Sequence, residues 1–248
     1  MGPHSVYQHQ VHCTAAELDL DFWRAPEGVS IPDDELDFLL IPDAVENRAI
    51  FEVAKQVLQH QRDEPAEAIT SALIVTMGGM LPGVLLHDHL FEGREPGTPA
   101  INFGTIGVSL YAGPGVLYDE PLIEEGSSIK VEAERVLLID DLVDSGGTLA
   151  FLKQHMAERG AISSHCLAVY VKPKAREVCP ADFYFGELAQ DTWLITPREL
   201  VETLRKRVPV WKERGASEAE CRRRLVELIG YPPELADYYL PGAYAGEP

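Results

Sequence analysis

Val136-Leu137-Leu138-Ile139 is a run of four apolar residues that passes without a break into Asp140-Asp141. A stretch apolar at every position, not at alternate ones, has both faces buried. That is the signature of an interior strand in a parallel sheet covered by helices. Ser145-Gly146-Gly147-Thr148 follows, and then a helical pattern with Leu149, Leu152 and Met156 on one side and Gly160 at its end. Two more runs of the same kind, Ser71–Thr76 and Cys166–Val171, flank this one in the sequence. Ile50, Val53, Ala54, Val57 and Leu58 mark an amphipathic helix that Asp43 is placed to cap. A second helix is expected after Pro82, carrying Val84, Leu85 and Leu86. Strands alternating with helices give an α/β fold with a mostly parallel sheet flanked by helices.

Composition narrows the class. Hydrophobic residues make up 46% and charged residues 25% of 248, the ordinary balance of a soluble globular chain. No apolar run approaches the roughly 18–20 residues that span a bilayer, so no membrane is expected. Residues 1–10 lack the basic-then-apolar order of a signal peptide and read as a tail, with His4, His9 and His12 in or near it. The four cysteines, Cys13, Cys166, Cys179 and Cys221, are scattered and make no C-x-x-C pair, which fits a reducing cytoplasm. A net charge of -19 opposes generic nucleic-acid binding and also suits a high-salt solvent. Nine of the 21 Lys and Arg residues nevertheless fall between Arg198 and Arg224. Solvated helix faces are the favoured reading of that cluster over a ligand or partner surface. His87 and His89 stand two apart on an expected helix, do not share a face, and read as structural.

The junction at Asp140–Thr148 carries the chemistry. A buried strand delivers two acids to its carboxyl end, where open α/β sheets bind ligands. Glycines let backbone N–H groups approach an oxyanion, and the start of a helix adds partial positive charge. Ser145 and Thr148 add hydroxyl donors, completing a phosphate cradle. Asp140 and Asp141 suit a ribose diol or a hydrated Mg²⁺. The Lys of a Walker A loop and the G-x-G-x-x-G of a dinucleotide turn are both missing, so triphosphate and NAD sites are disfavoured.

The segment Val136–Leu149 resembles the phosphoribosyl-diphosphate (PRPP) loop of type I phosphoribosyltransferases. Thr76-Met77-Gly78-Gly79-Met80-Leu81-Pro82-Gly83 is similar to the pyrophosphate loop of that family. Ser109-Leu110-Tyr111 resembles the entry to its flexible loop. Val171-Lys172-Pro173 and Asp191-Thr192-Trp193-Leu194 resemble the purine-site segments of xanthine-guanine and related enzymes. The resemblance covers roughly residues 45–205. It implies a type I phosphoribosyltransferase fold with a small hood near residues 180–195 and extra helices at the C-terminus. Residues 1–40 would then be an irregular extension, 41–208 the core with its hood, and 209–248 a helical extension.

The same resemblance implies roles. Asp140 and Asp141 would hold the ribose hydroxyls and organise Mg²⁺, and Ser145, Gly146, Gly147 and Thr148 would bind the 5′-phosphate. Asp144 would act near N7 of a purine as general base or charge stabiliser. Thr76, Met77, Gly78 and Gly79 would face pyrophosphate, with Ser109 and Tyr111 opening the flexible loop. Lys172 would read a 6-oxo group, Trp193 would stack on the base, and Leu194 would offer its backbone to the base edge. PRPP and a purine base or nucleotide are the expected partners, Mg²⁺ the cofactor, and a homo-oligomer, dimer or tetramer, the assembly.

Two departures stand out. Met77 takes the place of an arginine in the xanthine-guanine group, and no Lys or Arg lies between Arg94 and Lys130. A charge-assisted phosphate contact contributes roughly 1.5–3 kcal/mol. The backbone N–H groups of Gly78 and Gly79, Lys174, Arg176, Mg²⁺ or a neighbouring subunit are the available replacements. A PRPP- or nucleotide-sensing regulator without catalysis, and an enzyme with an altered donor or acceptor, stand as alternatives. Asp144 favours catalysis, since a phosphate clamp has no use for it.

Overall fold

The computed structural model describes residues 28–246 apart from 114–115, and the side chains of 110–120 are outside that description. The tail, with His4, His9, His12 and Cys13, therefore lies outside the described residues. The chain divides into two compact units, one of residues 49–190 and one joining residues up to 48 with 191–248.

The unit of residues 49–190 is built on a six-stranded sheet. Its strands in chain order are β3 (Ser71–Thr76), β4 (Asn102–Gly113), β5 (Val116–Glu125), β6 (Arg135–Val143), β7 (Ser163–Val171) and β8 (Phe183–Glu187). In space they run β5-β4-β3-β6-β7-β8. Every pairing is parallel except the β4–β5 hairpin. The apolar runs read from the sequence are the central strands, with Leu73, Leu137, Leu138, Ile139 and Leu167 fully buried. Helix α2 (Met80–Glu92) packs against β6 and β3, and helix α3 (Gly147–Glu158) against β7 and β6. Leu149, Leu152 and Met156 of α3 join Leu73, Val136, Leu138 and Ala168 in one core. Helix α1 (Asp43–Asp63) sends Gln61 inward, where its side-chain amide exchanges two hydrogen bonds of 2.7 and 2.9 Å with the Ile69 backbone just ahead of β3.

The other unit holds a three-stranded sheet of β1 (Val29–Ser30), β2 (Asp37–Leu40) and β9 (Thr192–Ile195), ordered β1-β2-β9 with β2 and β9 parallel. Helix α5 (Leu200–Glu213), helix α6 (Glu218–Arg223) continuing as a wider turn at Arg224–Ile229, and helix α7 (Pro233–Ala245) pack with it. Phe38, Ile195, Trp211, Leu225 and Tyr231 form its core.

Several boundaries differ from the expectations. Residues 1–40 are not irregular throughout, because β1 and β2 form there. The two compact units divide at 48/49 and 190/191. A four-residue strand whose partner lies near residue 192 leaves no local signal. The segment expected as a hood splits: 183–187 is the edge strand β8, and 192–195 belongs to the sheet of the other unit. Asp43 is the first residue of α1, and the Pro42 carbonyl accepts the first helical bonds. Helix α2 starts at Met80, so Pro82 sits in its first turn, where its missing N–H costs nothing. Strands β4 and β5 pair antiparallel with three register irregularities, all between Gly107 and Gly113. Ser217 caps α6, its Oγ accepting from the Glu220 N–H at 3.2 Å.

Candidate active site

Because β3, β6 and β7 are parallel neighbours, the loops that follow them emerge at one end of the sheet. Ile74 stands opposite Ile139, and Val143 opposite Val171. Thr76 ends β3 beside Gly107 of β4, which brings Ser109 to the same end. Ser109 is half-buried; the Tyr111 side chain lies outside the described residues.

The pyrophosphate-type loop and the acid pair meet directly. A Cβ on Gly78 would lie 2.5 Å from Asp141 Oδ1 and 2.7 Å from Asp140 Oδ1, closer than any side chain tolerates. Gly79 is confined likewise by the Ile139 and Val75 carbonyls. The Thr76–Met77 peptide is cis. Asp140 accepts from the Asp141 N–H at 3.0 Å, and Asp141 from the Leu142 N–H at 2.8 Å. These short local bonds hold both carboxylates against Gly78. Asp141 is buried, and burying adjacent acids is costly without donors nearby.

The Ser145–Thr148 loop, expected to cradle a phosphate, follows in the chain. Gly146 has φ of 82°, a left-handed conformation that glycine adopts without penalty. Its α-carbon also packs on the Cys179 N and Ala175 O atoms of the short helix α4 (Ala175–Val178), 3.0 and 3.1 Å from where a Cβ would sit. No side chain caps the start of α3. The early N–H groups of α3 are thus presented to the loop, in the manner of an anion site. Ser145 is exposed, with Gly147 and Thr148 half-exposed beside it.

Asp144 stands outside the cradle, its side chain 60% exposed. Its Oδ1 receives the Lys172 ammonium at 3.2 Å and the Gln190 Nε2–H at 3.1 Å. Lys172 is buried, and its N–H continues the ladder to the Val143 carbonyl at 3.0 Å. Two of the residues expected at the base, Asp144 and Lys172, are therefore brought together. Sequence reasoning missed Gln190. Its only signal was its place immediately before the Asp191-Thr192-Trp193 segment.

Met77 is 69% exposed, so its side chain lines no core. Of the proposed substitutes for its missing cation, two are already engaged. The Gly79 N–H bonds the Val75 carbonyl at 2.9 Å, and Arg176 pairs with Glu187. Lys174 is exposed.

Trp193 and Leu194 belong to the other unit, on its edge strand β9. The Trp193 indole N–H donates to Thr203 Oγ1 at 2.9 Å, and the Arg207 guanidinium lies 5.5 Å from the ring centre. Leu194 is buried. The basic cluster of this unit faces acids of the same unit. Arg198 and Lys206 pair with Glu202, Arg214 with Glu35, Arg222 with Asp237, and Arg223 and Arg224 with Glu220. Arg207 grips the fully buried Asp34 carboxylate at 2.5 and 2.6 Å, and the Trp211 N–H joins at 2.6 Å. Burial pushes Asp34 up, but Arg207, Trp211 and the Leu36 N–H outweigh it and hold the carboxyl below the usual range. The His87 ring stacks on Phe91, and His89 packs on Phe51. Neither joins a group of three or more metal-ligating side chains among the described residues.

A mostly parallel sheet flanked by helices, with glycine loops and an acid pair at its carboxyl end, is the type I phosphoribosyltransferase fold. The purine phosphoribosyltransferase of Pyrococcus horikoshii shares it, with a TM-score of 0.51 and 22% identity over 64% of this chain and 92% of that one. The phosphoribosyl transferase domain family matches residues 47–199, and the chain belongs to that family. The xanthine-guanine phosphoribosyltransferase of Gluconobacter oxydans is 33% identical over 123 residues, 50% of this chain and 64% of that protein. That of Idiomarina loihiensis is 27% identical over 154 residues, 62% of this chain and 82% of that protein. This chain thus spans a little under two thirds of the length of the first of these relatives.

Proposed function

We propose that this protein transfers the phosphoribosyl group of PRPP to a 6-oxopurine, releasing pyrophosphate and a nucleoside monophosphate. The observation that carries the reading is the contact of Gly78 with Asp140 and Asp141 beside the uncapped start of α3. On this reading it sets the loop for the diphosphate against the acids for the ribose diol, just ahead of the loop for the 5′-phosphate. The family match and the likeness to two xanthine-guanine enzymes support it.

In this reading the Ser145–Thr148 loop anchors the 5′-phosphate, and the Asp140-Asp141 pair orients the ribose hydroxyls. The bond from ribose C1 to pyrophosphate breaks as the bond to the purine nitrogen forms, and positive charge develops on the ribose. Asp144 stabilises that charge on the base side and takes up the proton the base loses. Lys172 donates to the 6-oxo group. Asp140 and Asp141 supply oxygen ligands of the kind Mg²⁺ takes jointly with phosphate oxygens, so the pair fits the ion. Mg²⁺, when bound, neutralises charge on the departing pyrophosphate. With Met77 uncharged, the Gly78 N–H and Lys174 are the chain's own donors for that group.

The test is direct: incubation with PRPP, Mg²⁺ and each of guanine, xanthine, hypoxanthine and adenine, with nucleotide measured by chromatography. Turnover of a 6-oxopurine is expected. PRPP binding with no turnover of any base would overturn the catalytic reading, and adenine as best substrate would remove Lys172 from its role.

A further inference from the structure

Asp144 follows β6, Lys172 follows β7, and Gln190 follows β8, three adjacent parallel strands. The Leu188 N–H bonds the Val171 carbonyl at 2.9 Å, which carries the chain past the end of β7 toward Gln190. From there both ends of the Gln190 amide are used. Its Oε1 accepts the Lys174 N–H at 3.1 Å, and its Nε2–H donates to Asp144 Oδ1 at 3.1 Å. The side chain is a strut between a fixed point of main chain and the carboxylate.

Lys172 alone cannot fix that carboxylate. Its ammonium ends a flexible stem and has three protons to share. Under the proposed function it also turns toward the 6-oxo group of the base, loosening its hold on Asp144 as substrate arrives. Gln190 has no second task, and its amide is tied at the other end. It holds Oδ1, the oxygen that Lys172 also contacts, and so leaves Oδ2 outside both contacts.

We propose that Gln190 is the positioning residue of Asp144, fixing the carboxylate that serves the base during transfer. The proposal rests on the phosphoribosyl-transfer reading above. Its test is a double-mutant cycle with Asp144→Asn, using the full chain with saturating Mg²⁺. Gln190→Met keeps the side chain's length and removes both hydrogen bonds. It is expected to lower kcat roughly 10- to 100-fold, the effect of one hydrogen bond to a charged group, with KM for PRPP within about twofold of wild type. In the Asp144→Asn background the same change is expected to lower kcat less than about threefold, because the group it acts through is already altered. Gln190→Asn, one methylene too short to span both partners, is the second variant should the methionine form not fold, and the same losses are expected of it.

Full kcat in both variants overturns the proposal. So does an equal loss with and without Asp144, or a loss carried by KM for PRPP, each of which marks a structural role. A wild-type protein that turns over no 6-oxopurine overturns the functional reading and the proposal with it, and is told apart by that control.

Discussion

The two units hold their important residues by opposite means. In the unit of residues 28–48 and 191–246, long charged side chains do the work: Arg207 on Asp34, Arg214 on Glu35, and Arg223 and Arg224 on Glu220. In the unit of residues 49–190, the residues that shape the site have almost no side chain. Gly78 lies on two carboxylates, and Gly146 on the backbone of α4. The richest cluster of cations in the sequence is thus turned to internal carboxylates, while the candidate site rests on close backbone approach. Charge density alone is a poor guide to where a ligand goes. A glycine at a strand end that cannot carry a methyl group is a better one.

The largest expected effect tests the charged unit. Arg207→Ala removes the guanidinium that hydrogen-bonds the buried Asp34 and leaves it only the more distant Arg214 at 3.9 Å, a loss of about 3–5 kcal/mol, read from urea unfolding. A loss below 1 kcal/mol would place Arg207 with the surface pairs and end the contrast. Next comes the glycine side. Gly78→Ala drives a methyl group into the Asp140 and Asp141 carboxylates, and turnover of PRPP is expected to fall roughly 100-fold, the scale of a 1 Å misplacement. Unchanged activity would show that the acids, not the backbone, set the fit.

A pH titration of stability sharpens the first result. Asp34 is held below its ordinary range, and Glu220 is drawn down to about 2 by Arg223 and Arg224. Carboxylates lowered in the folded state stabilise it fully above their unfolded values, about 4, and that contribution disappears as pH falls through the folded values. The urea midpoint is expected to decline from about pH 4.5 down toward pH 2, less steeply in Asp34→Asn. An identical slope in that variant would remove Asp34 from the account. The smallest effect is at the helix cap: Ser217→Ala is expected to cost about 1 kcal/mol in a thermal melt. Arg222→Ala, at an exposed pair, should cost less than that.

Much of this was legible in the sequence, for reasons the structure makes plain. Parallel strands buried on both faces write continuous apolar runs, so β3, β6 and β7 announced themselves. The Asp140–Thr148 loop is contiguous, and so is its pattern. What escaped reading is what separate segments make together. Residues 37–40 are too short to signal a strand without the β9 partner. The approach of Gly78 to Asp140 and Asp141 joins two loops with no shared local pattern. Gln190 gains its place only when three strands stand side by side. The Arg198–Arg224 cluster was read as solvated faces, and Lys206, Arg222 and Arg223 do stand in half-exposed local pairs; what escaped was the grip of Arg207 and Arg214 on Asp34 and Glu35, far away in the chain.

That distance has a consequence during synthesis. Strand β2 pairs with β9 through Asp37 and Thr192, and at roughly 5–20 residues per second the interval between them is on the order of 8–30 s. Phe38 and Leu39, both buried in the finished molecule, spend that time with only the two-residue strand β1 to pair with. The segment that leaves the ribosome early thus waits longest for its parallel partner, and a chain released before residue 192 never supplies it.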